Sequence, residues 1–228
     1  MSELTIITTL DGSHSLLNTT LNETYHSTHG AVQESIHVFI KNGFEFFLHQ
    51  NQSDEINILE IGFGTGLNAL LTWQNATQTN RRINYTSLEA FPLDIALAQQ
   101  LNYPQALSVD DADMKFTKLL HAPWDVETEM RPNFHLMKRL IKLEDANLGK
   151  ENFDLVYFDA FAPSKQPEMW ELPILNKVTQ ALKASGVFVT YCAKGQLKRD
   201  LKSLGLTVET LTGPPGKKEM VRAVKTTL

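Results

Sequence analysis

The sequence predicts an α/β protein built on a doubly wound, mostly parallel sheet. Three observations carry this. From residue 56 onwards, short apolar runs of strand length alternate with amphipathic runs of helical period. One of them, Phe153–Phe158, is apolar at every position but Asp154, as suits a strand covered on both faces. A glycine-rich turn joins the first of these strands directly to a helical run.

Residues 1–55 read as an N-terminal extension packed on the core, being polar and rich in Thr, Asn and His. Within them Ile36, Phe39, Ile40, Phe44, Phe47 and Leu48 keep helical spacing, interrupted at Asn42-Gly43. An Asn-Gly hairpin suits the same letters, and the helix is the reading adopted. Residues 56–228 form the main domain. Ile56–Ile61 is a strand, followed by a helix with Leu67, Leu70 and Leu71 on one face. Ile83–Leu88 is a strand and Pro92–Leu101 a helix with proline near its start. Residues 102–132 read as helix and loop. Phe134 leads a third strand and Phe153–Phe158 forms the fourth. A helix over 171–183 precedes the strand Gly186–Tyr191, a basic helix from Lys194, and strands near 206–211 and 219–225.

The chain has 228 residues, 42% hydrophobic and 21% charged, which excludes collagen-like, coiled-coil and disordered classes. No apolar stretch approaches the ~18 residues of a membrane helix. The start, Met1-Ser2-Glu3-Leu4-Thr5, lacks the basic and apolar regions of a signal peptide, so the expected address is cytoplasmic. The single cysteine, Cys192, excludes an internal disulfide. His26 and His29 lack a third ligand, so no metal is expected. Net charge is −5, yet residues 186–228 carry eight basic side chains against three acidic ones. That asymmetry hints at a polyanionic partner, although charge alone favours a solvated C-terminal face.

Sites in doubly wound sheets lie beyond the carboxyl ends of the strands. After the first strand stands Glu60-Ile61-Gly62-Phe63-Gly64-Thr65-Gly66-Leu67-Asn68. Glycines there let the backbone turn tightly and approach a ligand. Leu67 occupies the third-glycine position of the dinucleotide fingerprint, and no Gly-Lys-Ser/Thr follows, so neither that motif nor a phosphate loop is present. A short glycine loop with an acidic lead residue suits S-adenosylmethionine (AdoMet), which has no pyrophosphate and carries a cationic amine. Glu89 ends the second strand 23 residues beyond Gly66, near the interval at which an acid meets ribose hydroxyls. Asp159 ends the fourth strand and enters the proline-fixed loop Ala160-Phe161-Ala162-Pro163-Ser164-Lys165-Gln166-Pro167-Glu168-Met169-Trp170.

These three places, with Gly213-Pro214-Pro215-Gly216-Lys217-Lys218-Glu219-Met220 and Tyr25–Ala31 through Glu34-Ser35, resemble one family. It is the AdoMet-dependent tRNA 5-aminomethyl-2-thiouridine methyltransferase of the MnmC family, also found as standalone MnmD. The resemblance covers most of the chain and implies the class I AdoMet-dependent methyltransferase fold, of Rossmann-like type. It implies Gly62, Phe63, Gly64, Thr65, Gly66, Asn68 and Glu89 as the AdoMet cradle. Members place an acid after the third strand to meet adenine. Here Lys142 stands in that register, and the role passes to Asp145. No segment remains for the flavin-dependent (FAD) oxidase half of MnmC, so the standalone form is expected.

The resemblance further implies a tRNA anticodon loop as partner and the primary amine of the wobble nucleoside as nucleophile. Asp159 is then the residue that orients the amine and accepts its proton. Phe161 and Trp170 are candidates to stack on a splayed base. Lys165, Lys217 and Lys218 are candidates for phosphates. The alternatives are a small-molecule AdoMet methyltransferase, an aminopropyl transferase on the same fold, and a non-catalytic tRNA-binding module.

Overall fold

The structure, a computed structural model, describes residues 4–226. The chain opens with β1 (Leu4–Thr8), β2 (His14–Asn18) and β3 (Glu23–Thr24), which form a small antiparallel sheet of their own. A continuous helical segment follows: α1 (Ala31–Ser35), a π-helical stretch Ile36–Glu45, and α2 (Phe46–Gln50). This settles Asn42-Gly43 as helix. Gly43 is where that segment touches the main sheet: a Cβ there would stand 3.0 Å from Val189 and 3.2 Å from Tyr157. Its lack of a side chain permits close packing, and no turn is required of it.

The main sheet begins with β4 (Glu55–Ile61), then α3 (Leu67–Ala76), β5 (Arg82–Glu89), α4 (Ile95–Ala98), α5 (Tyr103–Leu107) and α6 (Ala112–His121). It continues with β6 (Glu127–Arg131), β7 (Phe134–Leu140), β8 (Phe153–Phe158), α7 (Leu172–Ala181), β9 (Leu182–Thr190), α8 (Gly195–Ser203), β10 (Leu206–Thr212) and β11 (Glu219–Lys225). The helix expected over Pro92–Leu101 shrinks to the four residues of α4; it starts only at Ile95, where Asp94 caps it by accepting from the Ala96 and Leu97 amides. The antiparallel edge strand β6 lies within 102–132, where only helix and loop are expected.

Eight strands lie in the order β10-β11-β9-β8-β4-β5-β7-β6. The five from β9 to β7 are parallel, β11 and β6 run antiparallel to them, and β10 pairs antiparallel with β11 at the edge. Alternating residues feed two cores, one on each face. Ile56 and Ile58 of β4 and Leu155 and Tyr157 of β8 pack beneath the 31–50 helical segment, α3 and α6. Leu59 and Ile61 of β4, with Val156 and Phe158 of β8, pack against α7 and α8. From β4 the chain winds first towards β5 and β7, then returns to β8 on the other side. The carboxyl ends of β4 and β8 therefore flank the crevice at the switch point, where ligands bind in such sheets.

Candidate active site

A cavity of about 1050 Å³ opens at that switch point. Its walls come from the glycine loop, the end of β5, the Asp159 loop, the 23–34 segment and the Gly216-Lys217 turn. The glycine loop is folded by its own backbone. Gly62 and Phe63 donate to the Leu88 carbonyl at 2.9 and 3.2 Å, and Gly66 donates to the Phe63 carbonyl at 2.8 Å. Gly62, Gly64 and Gly66 all have positive φ, at 92°, 50° and 78°. A Cβ on Gly62 would stand 3.0 Å from the Asp159 carbonyl, and one on Gly64 would stand 3.3 Å from the Tyr25 ring.

Glu89 lies half-buried on the cavity wall. One carboxylate oxygen accepts from the Gly64 amide at 3.0 Å and the other from Phe91 at 2.9 Å. Each oxygen keeps a second lone pair for a ligand hydroxyl. Asn68, at the start of α3, donates from Nδ2 to Asp159 Oδ2 at 2.8 Å, and its own Oδ1 is buried without a partner. Beneath them Glu60 is fully buried and accepts from Ser87 at 2.6 Å, while Oε1 has no partner. Burial, with the negative charge of Asp159 adding to it, pushes Glu60 up to about 8. Burial is also the main cause that raises Asp159 to about 7, and the Glu34 carboxylate adds to it. Asn68 and the Lys217 ammonium pull the other way.

Several expected residues take other positions. Phe63 offers its backbone to the loop while its ring packs edge-on to Trp124 at 5.8 Å. Thr65 is buried and its hydroxyl meets His26 Nε2 at 2.8 Å. His26 is held neutral, pushed down by burial to about 4, and precedes the helix rather than riding on it. Gly66 is the left-handed cap of α3, behind the cavity wall. Asp145 lies outside the cavity and is exposed. The chain turns at Lys142, whose carbonyl accepts from Asp145 and Ala146, so that Ile141 to Glu144 line the wall instead.

Trp170 does not reach the cavity. It is 8% exposed, packs edge-on to Phe158 at 5.0 Å, and donates from Nε1 to the Phe161 carbonyl at 2.8 Å. It secures the Asp159 loop from below. Trp170→Phe is expected to lower stability by about 1–2 kcal/mol, from lost volume and an unpaired carbonyl. Urea unfolding checks this; unchanged stability with weakened substrate binding would return Trp170 to a stacking role. Phe161 lines the cavity and meets Tyr25 edge-on at 5.0 Å. Lys165 lines it too. Lys218 is exposed and does not line the cavity. Lys217 is no free phosphate ligand, because its ammonium pairs with the buried Glu34 carboxylate.

Sequence reasoning assigned no role to Tyr25, Glu34 or Tyr191. Tyr25 and Glu34 fall inside strings that carry the family resemblance, and Tyr191 follows a parallel strand at its carboxyl end. Those were the available signals.

The fold aligns with a crystal structure described as MnmC2 from Aquifex aeolicus, with a TM-score of 0.79 and 25% identity. The alignment covers 98% of this chain and 70% of that one. A family model described as S-adenosyl-L-methionine-dependent methyltransferase matches residues 123–226. Over those residues the chain is similar to the S-adenosyl-L-methionine-dependent methyltransferases. The chain is also similar to the bifunctional protein MnmC, of tRNA 5-methylaminomethyl-2-thiouridine biosynthesis, from Idiomarina loihiensis and Leptospira borgpetersenii. Both are 30% identical, over 90% and 88% of this chain. The chain spans about a third of the length of these relatives, 36% and 32%. The MnmC-type methyltransferase resemblance read from the residues agrees with these findings, as does the doubly wound sheet.

The site suits the methyltransferase cofactor. Side chains at Gly62 and Gly64 would fill the cradle, the Glu89 carboxylate stands at the strand end, and Asn68 Oδ1 is an orphaned acceptor at its floor. An orphaned acceptor beneath a glycine loop suits the cationic amine of AdoMet. Among the described residues, no helix is long and apolar enough to cross a membrane.

Proposed function

We propose that the chain transfers a methyl group to the primary amine of 5-aminomethyl-2-thiouridine at the tRNA wobble position, giving 5-methylaminomethyl-2-thiouridine. The observation that supports it most is the placement of Asp159, half-buried beside the glycine loop in a cavity that Tyr25 and Phe161 also line. The similarity to MnmC gives that arrangement its substrate. A cytoplasmic site of action goes with such a substrate.

AdoMet, when bound, supplies an electrophilic methyl on a sulfonium. The glycine loop, Glu89 and Asn68 would hold it. What remains for the protein is positioning and the proton, since in-line displacement needs two reactants in a near-attack geometry. An alkyl amine is mostly protonated at pH 7, by the ~10.4 reference of lysine, and must lose that proton to attack. The Asp159 carboxylate accepts a hydrogen bond from the amine, fixes its direction and takes the proton. A carboxylate alone favours the ammonium form, so exclusion of water in the cavity must supply the opposite push. Phe161 and Tyr25 offer edges and faces to an unstacked base. The phosphates fall to Lys165, to Lys218, and to Lys194, Arg199 and Lys202 of the α8 region, none of which is ion-paired to an acid among the described residues.

Mass spectrometry of the wobble uridine, in precursor tRNA incubated with the protein and AdoMet, tests the reading. One added methyl on the aminomethyl group is expected. AdoMet binding with no change in that nucleoside would point to a small-molecule methyltransferase instead.

A further inference from the structure

Glu34 is 5% exposed and belongs to α1, near the N-terminus, whereas Lys217 belongs to the β10–β11 turn. Their side chains form an ion pair inside the cavity wall. The pair is braced on both sides. The second carboxylate oxygen of Glu34 accepts from the Ser27 amide at 2.7 Å. The Lys217 ammonium sits 4.0 Å over the Tyr191 ring, and the Tyr191 hydroxyl donates to the Ala160 carbonyl at 2.8 Å, the residue after Asp159. At Gly216 the turn passes so close to His29 that a Cβ would overlap its ring. Glu34 is buried while the Lys217 side chain is 32% exposed. Withdrawing that carboxylate from water is costly and the pair contributes little net stability, so its presence in the cavity that Asp159 lines calls for another role.

We propose that the Glu34–Lys217 pair is a positioning device for Asp159, tying the N-terminal segment to the C-terminal turn across the cavity and holding one charge of each sign beside the carboxylate. This rests on Asp159 being the group that accepts the proton of the substrate amine. Glu34 opposes ionisation of Asp159 and Lys217 favours it, so the two offset each other. The other groups around Asp159 are Asn68 of α3, Glu60 of β4, Tyr85 of β5, Tyr103 of α5, Tyr191 after β9 and Lys165 on its own loop. All are shared by the variants below.

The test is a titration of carboxyl-13C aspartate in the full chain by NMR, with Asp159→Asn identifying the resonance. Glu34→Gln leaves Lys217 unopposed and is expected to move the Asp159 midpoint down by about 1 pH unit or more. Lys217→Met leaves Glu34 unopposed and is expected to move it up by a similar amount. The Glu34→Gln/Lys217→Met double variant, with both charges gone, returns it towards wild type and guards against loss of fold in either single variant. A purely structural clasp would move both single variants the same way or neither, and that result overturns the proposal. The acid limb of methyl transfer to precursor tRNA is expected to follow each midpoint. Opposite midpoint shifts without any transfer to tRNA would uphold the pair's role and remove tRNA as the substrate.

Discussion

Asp159→Asn is expected to lower single-turnover methyl transfer by ~10²-fold or more at pH 7, the usual scale for loss of a general base. The amide keeps the shape and one acceptor oxygen, but loses the charge and the ability to take a proton. The wild-type rate should rise with pH through the Asp159 midpoint at about 7, because only the carboxylate accepts. The variant should lack that limb and gain rate at higher pH, as more of the substrate amine is already neutral. Stability gives a second reading of the same charge. The folded-state pKa of Asp159 lies above its unfolded value near 3.8, so the native state binds the extra proton. Its contribution therefore favours folding below about pH 4 and is lost as pH rises towards 7. Asp159→Asn should accordingly be more stable than wild type at pH 8, with the difference fading towards pH 4. Rates between pH 6 and 9.5, with thermal unfolding at both ends, decide the matter. Wild-type turnover in the variant at pH 7 would remove Asp159 from the chemistry.

Much of this site was legible in the residues because its parts are local. A strand, a glycine turn and a helix occupy consecutive positions from Glu55 to Ala76, so periodicity and glycine placement reveal them together. The same holds for the apolar run of β8 and the loop it feeds. What escaped was set by partners distant in sequence. Lys217 looks like any surface lysine until Glu34, 183 residues away, is beside it. Trp170 has the letters of a stacking residue, and only the fold shows Phe158 and Tyr191 against it. The adenine role passes to Asp145, past the lysine in the expected register, but the turn at Lys142 brings Glu144 to the wall and leaves Asp145 outside it. The strands of the first 24 residues are short and mostly half-exposed, so alternation had little to register.

Gly64→Val is expected to abolish AdoMet binding, and the structure gives two separate causes. Gly64 has φ of 50°, where a β-branched residue is strained by at least the ~1–2 kcal/mol that any L-residue meets there. Its Cβ would also stand 3.3 Å from the Tyr25 ring, and valine adds two methyls beyond that point. The Gly64 amide is the donor that holds one oxygen of Glu89 at 3.0 Å, so a displaced loop would also misplace the carboxylate proposed to meet the ribose. Strain and misplacement act together, which is why the whole cradle should fail rather than weaken. Gly64→Ala separates them: it keeps most of the strain but reaches only to the Tyr25 contact, and binding should fall without vanishing. Calorimetric titration with AdoMet, on variants whose circular dichroism matches wild type, reads both effects. Wild-type affinity in folded Gly64→Val protein would move the cofactor away from this loop.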